Sequence, residues 1–308
     1  MNLTDSYTTA NQKPAAKLAD LAYIRSERAA SHETAVLLDF VTEWMKQRDY
    51  KLGLASLDLL LAKKCDPEAD KRARMRQDGE TPSIIHELSQ AIYTISLVET
   101  GYPLPDTEDL LCLNFTHDLG EEFDVSRQGF IDNLTKHGIP ATPRVEALAD
   151  MFENMTKSRN DIYKYDNNQS YFLKMLEHPT TVIAKFQDRI HNMATLIGVK
   201  KPHKHREYIV ETMELRATLN QAKTTYPAFA AVFDIMNKIV AAQIHFNTGY
   251  LNRAFPENPI STAGQGIITR LNRIAQLPAG LDPLQIPQTR SNAKLAWSVA
   301  RQEPSPSV

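Results

Sequence analysis

Two cysteines, Cys65 and Cys112, are all that the 308 residues contain, and neither belongs to a CxxC or a Cys/His finger pattern. A disulfide framework and a zinc-finger scaffold are excluded, and both thiols are expected to be small buried hydrophobes of a reducing compartment. An excess of one charge is also lacking, since 35 Lys and Arg stand against 37 Asp and Glu for a formal net charge of −2. Without a global basic field, no polynucleotide partner is expected. No run approaches the roughly 20 apolar residues of a membrane helix, and the opening MNLTDSYTTANQKPAAKLAD has no apolar signal core. The chain is therefore expected to be cytoplasmic and to have no membrane partner. Sustained period-2 alternation is missing too, so no segment reads as a strand and the expected fold class is all-α.

What is present is a composition of 42% hydrophobic and 23% charged residues, that of a globular chain able to bury one substantial core with helical additions. Residues 1–14 are polar and expected to be disordered. Helical spacing of Ala35, Leu38, Phe40, Val41 and Trp44, then of Leu52, Leu54, Leu57, Leu60 and Leu61, predicts an N-terminal helical extension over 15–69. The loop RQDGETP precedes a helix from Ser83 to Glu99, and GYPLPDTED precedes one over about 107 to 120, capped by Asp106 or Thr107. Further helices are expected near 126–137, 143–158, 168–177, 179–198 and 204–223, completing a central domain over 70–225. A helical appendage over 226–255 and a Pro-rich, loosely ordered tail over 256–308 follow. The flanking helices offer surface for homo-oligomerisation. The basic run Lys200 to Arg206 reads as a solvated loop or helix start.

Chemistry-bearing residues gather in the central region. On one helix, His117 would lie above Glu121 and Asp118 above Glu122, four ionisable groups on a mostly apolar stretch. In AKFQDRIHNMATL, Asp188, Asn192 and Thr195 follow i, i+4, i+7, while Ile183, Phe186, Ile190, Met193 and Ile197 keep the apolar spacing. Each piece alone is ordinary: His86 reads as a helix-end histidine, Asp188–Arg189 as a surface pair, and His191 as a structural histidine bonded to a backbone carbonyl. The ordered set His86, His117–Asp118, Asp188 on successive helices points instead to a divalent cation with mixed nitrogen and oxygen ligands. Mn²⁺ suits that set, and Fe²⁺, Zn²⁺ and Co²⁺ share the preference.

DRIHNMATL, HDLGEE and RQDGETPSIIH together resemble the HD-domain phosphohydrolases, and within them the hydrolase domain of the Rel/SpoT-type and small alarmone hydrolases. The resemblance covers about residues 70 to 220. It implies an HD-domain helical bundle that removes the 3′-diphosphate from guanosine tetraphosphate and pentaphosphate by attack of a metal-held water. It also implies that His86, His117, Asp118 and Asp188 are metal ligands and that Glu121 and Glu122 are the acidic pair orienting or activating water. Arg76 would pack on the guanine base, and Asn192 and Thr195 would contact the nucleotide. Four positions depart from the family's pattern: Glu122 replaces an Asp, Gln77 a Lys, Ser83 a Tyr, and Ala194 an often basic residue. Two alternatives follow: an HD hydrolase of another nucleotide, such as a dNTP, NADPH or a cyclic nucleotide, and a weakly catalytic HD binding module.

Overall fold

The computed structural model of the chain describes residues 30–66, 75–76, 81–156, 171–198 and 202–255. The expectations for residues 1–14, for the 15–29 part of the N-terminal extension, for Gln77 and for the tail beyond residue 255 fall outside them. Among the described residues the fold is mostly helical and holds no strand, so the chain is all-α. The helices are α1 Ala30–Gln47, α2 Lys51–Lys64, α3 Ile85–Glu99, α4 Thr107–Thr116 and α5 Leu119–Phe123. They continue with α6 Arg127–Lys136, α7 Pro143–Met155, α8 Pro179–Thr195, α9 Pro202–Thr225 and α10 Ala230–Ala254.

Local chemistry sets several boundaries. Asp106 accepts from the Asp109 amide ahead of α4, Ser126 from Gly129 ahead of α6, and Thr142 from Val145 ahead of α7. Each cap satisfies an amide that the first helical turn leaves without a partner. Pro143 and Pro179 take first-turn positions where a missing N–H costs nothing. Asp124, at φ 53°, turns left-handed and ends α5.

The helix expected over 107–120 is two helices. His117 and Asp118 occupy the turn between α4 and α5. On a continuous helix, adjacent side chains diverge by about 100°; at this turn both reach the same place, as the distances below show. Gly120, one turn on, lies where a Cβ would come within 2.5 Å of Thr156 Oγ1, so α5 approaches the end of α7 as only glycine permits.

One hydrophobic cluster runs from Leu38 of α1 to Leu251 of α10. It takes in Leu57, Leu59 and Leu60 of α2, so residues assigned from the sequence to an N-terminal extension share the core of the central helices. Helices α3, α4 and α8 pack against one another and carry the chemistry-bearing residues to the middle of the molecule. Cys65 and Cys112 are buried, as expected, and neither is in a disulfide. Ile197, counted with the apolar face of α8, is exposed instead, because the helix gives way to a short 3₁₀ turn at Leu196–Gly198.

The segment Pro227–Ala254 differs from the sequence expectation. By length and mean hydropathy, 1.2, it is long and apolar enough to cross a membrane, although its apolar residues are too interspersed to form an unbroken run. One side of α10 packs on α8 and α9, and Gln243 and Asn247 donate to the carbonyls of Ile190 and Met193. Ile239 and Phe246 of α10 and Val36 and Phe40 of α1 are exposed.

Candidate metal centre

His86 enters from the first turn of α3, His117 from the α4–α5 turn and Asp188 from the middle of α8. One donor atom from each lies within 4.8 Å of the others, and all three residues are buried, a group that can hold a metal ion. His86 Nε2 is 3.1 Å from Asp188 Oδ1, and His117 Nε2 is 3.9 Å from the same oxygen. Asp118 completes the quartet, with Oδ1 3.2 Å from His117 Nε2 and Oδ2 3.9 Å from His86 Nε2. Its side chain is 28% exposed against 5% for Asp188, so the cluster opens to solvent on the Asp118 side.

The surrounding bonds fix which atoms face inward. His117 Nδ1 lies 3.1 Å from the Asn114 carbonyl, which can only accept. Nδ1 therefore carries a proton, and Nε2 is the nitrogen that faces the cluster. His86 Nδ1 lies 2.7 Å from His191 Nδ1. The partner of His191 is thus His86, whereas a backbone carbonyl was expected. Burial and the neighbouring His86 push the His191 pKa down to about 3, leaving it neutral. Burial also lowers His86.

Asp188 is held from three sides. Lys185, one turn earlier and buried, binds Oδ2 at 2.6 Å, and Asn192 Nδ2 donates to Oδ1 at 2.5 Å. With Oδ2 tied to the lysine, Oδ1 faces the two imidazoles. Desolvation raises the carboxyl, but Lys185 and the histidines outweigh it and keep Asp188 ionised well below the usual carboxylate range. Burial opposes an imidazolium at His117 as well, yet Asp118 and Asp188 overcome it and lift its pKa to about 9. In that state the proton occupies the position a cation would take. An acidic pocket that draws a proton onto an imidazole also suits a divalent ion.

The acidic pair splits between two buried lysines. Glu122 Oε2 binds Lys64 Nζ at 2.9 Å, and the same nitrogen binds Glu87 Oε1 at 2.5 Å. Burial, with Asp118 and Glu87 nearby and Lys64 opposing, lifts Glu122 to about 7. Glu121 lies within electrostatic reach of Lys185 and Tyr171, on the other side. At the rim, Arg76 Nη2 donates to Asn192 Oδ1 at 3.1 Å and to Thr195 Oγ1 at 3.0 Å. All nine residues singled out from the sequence therefore fall in or around one cluster. Asp188–Arg189 is not a surface pair: Arg189 is buried and binds Glu211 of α9 at 2.9 Å.

Sequence reasoning missed Lys64, Glu87, Gln90 and Lys185. Gln90 and Lys185 carry a usable signal, at i+4 from His86 and i−3 from Asp188, spacings that share a helix face. Lys64 carries none, because a lysine ending a leucine-rich helix reads as a solvated C-terminal cation.

Ser83, one of the positions departing from the family's pattern, is buried at the entry to α3, and Ala194 is exposed near the end of α8. Comparison of the chain with protein-family models, with curated proteins and with solved structures gives no match.

Proposed function

We propose that the chain is a metal-dependent phosphohydrolase of the HD type, with His86, His117, Asp118 and Asp188 as ligands of a divalent cation, Mn²⁺ by the hardness of the set. The observation that carries this reading is the convergence of those four side chains from three separated segments, buried on one side and open at Asp118. The orphaned acceptor Gln90 Oε1 and the proton held by His117 are further signs that the pocket fits a cation.

A divalent ion in such a site lowers the pKa of a bound water to roughly 7 and neutralises a phosphoryl oxygen. The protein's own groups do the rest. Lys185 and Asn192 hold the Asp188 carboxylate, and the Asn114 carbonyl fixes the His117 ring, so neither ligand reorganises during the reaction. Glu121 orients the attacking water. Glu122, held by Lys64 and lifted towards neutrality, takes and returns a proton near physiological pH, a contribution on the order of 10²- to 10⁴-fold.

The substrate we favour is guanosine tetraphosphate or pentaphosphate, cleaved at the 3′-diphosphate. Arg76, fixed at the rim by Asn192 and Thr195, offers a planar cation on which a purine can stack. The exposed Ala194 beside Thr195 favours a second reading, a less charged nucleotide, because position 194 itself offers no cation to an additional phosphate. Incubating the Mn²⁺-loaded protein with a nucleotide panel decides between them. Release of diphosphate and GDP from guanosine tetraphosphate supports the first. Cleavage of a dNTP, NADPH or cyclic nucleotide with guanosine tetraphosphate left intact overturns it.

A further inference from the structure

Gln90 sits one turn after His86 on α3 and is fully buried. Its Nε2 lies 2.8 Å from His86 Nε2 and 3.4 Å from His117 Nε2. The amide therefore points a donor at the two imidazole atoms that face Asp188 and Asp118. The other end of the same amide, Oε1, is buried and has no hydrogen-bond partner among the described residues. A buried acceptor without a partner costs roughly 1–3 kcal/mol, so this orientation leaves the amide oxygen in want of a partner.

With a cation between the rings, their lone pairs go to the ion and none is left for the amide N–H group. A half-turn of the amide about its last side-chain bond exchanges the two ends. It withdraws the N–H group from the imidazoles and brings Oε1 to the place where the rings and carboxylates converge. An amide oxygen is a hard neutral donor of the kind that oxygen-preferring divalent cations accept.

We propose that Gln90 is a fifth protein residue of the metal centre: its amide lies against the two imidazoles in the metal-free protein and turns to present Oε1 to the cation. The inference rests on the metal reading above. It assigns one residue to two states of the site and adds an oxygen to the ligand set without adding charge.

The test uses the full-length chain, stripped of metal and titrated with MnCl₂ alone while electron paramagnetic resonance reports free Mn²⁺. Gln90→Leu is expected to weaken binding about 10- to 100-fold, the range seen when groups supporting a metal site are removed. Gln90→Glu, nearly isosteric and again an oxygen donor, is expected to bind at least as tightly as the wild type. Loaded with Co²⁺, Gln90→Leu should absorb more strongly in the visible, because losing an oxygen ligand lowers the coordination number. Binding by Gln90→Leu equal to or tighter than the wild type, with Asp188→Ala abolishing it, overturns the role of Gln90 and leaves the metal reading standing. No saturable binding by the wild type overturns both.

Discussion

Asn192 joins Arg76 to Asp188 through the two ends of one amide: Oδ1 accepts from Arg76 at 3.1 Å, and Nδ2 donates to Asp188 Oδ1 at 2.5 Å. The group proposed to meet the base and a proposed metal ligand are thus one side chain apart. Asn192→Ala should loosen both, weakening Mn²⁺ binding about 10- to 100-fold and raising KM for the nucleotide. Metal titration and steady-state kinetics on the same preparation check this. A change in KM alone would confine Asn192 to the nucleotide.

The charge on His117 sets a pH dependence. Its folded pKa, about 9, exceeds the ordinary 6.5, so the folded metal-free chain holds a proton that the unfolded chain releases first. Stability from this group is complete below about pH 6.5 and is lost as the pH rises through about 9. The melting temperature of the metal-free protein should fall across that window. With Mn²⁺ bound the proton is displaced, so the fall should vanish, and at pH 7.5 calorimetry in buffers of different ionisation enthalpy should record close to one proton released per ion.

Lys64 and Glu87 form a buried pair 2.5 Å apart, with side chains only 2% and 1% exposed. Lys64→Met strands Glu87 and should destabilise the fold by about 3–5 kcal/mol. Adding Glu87→Leu removes the stranded charge and should recover much of the loss. Urea unfolding of the two variants makes the comparison. The double variant should still lose activity, because Glu122 has lost its 2.9 Å anchor.

Gly120→Ala would place a methyl group 2.5 Å from Thr156 Oγ1. Separating α5 from the end of α7 should cost about 1–3 kcal/mol, as overpacked sites do. Because Gly120 follows Asp118 by two residues, Mn²⁺ affinity should drop as well. Trimming Thr156 to Ala in the same chain should restore part of both, read by thermal unfolding and metal titration.

The all-α class and most helix boundaries were legible because apolar spacing and caps are local signals. Ser126, Thr142 and Pro143 announce their helices to any reader of the chain. The four proposed ligands were legible for a different reason: imidazoles and carboxylates on apolar helices demand a partner, and their order along the chain suggested a shared one. The break at His117–Asp118 was not, since both residues keep helical backbone angles and no glycine or proline marks the turn. Nor was the burial of Lys64, or the bond between His86 and His191. Both depend on which helices meet, a property of the folded chain alone.

The central claim, that His86, His117, Asp118 and Asp188 surround a divalent cation, is tested most directly by anomalous diffraction from crystals of the Mn²⁺-loaded protein. The account predicts one strong manganese peak between His86 Nε2, His117 Nε2 and Asp188 Oδ1, within about 2.0–2.3 Å of each ligand atom. No peak there, or a peak confined to surface carboxylates, would contradict it.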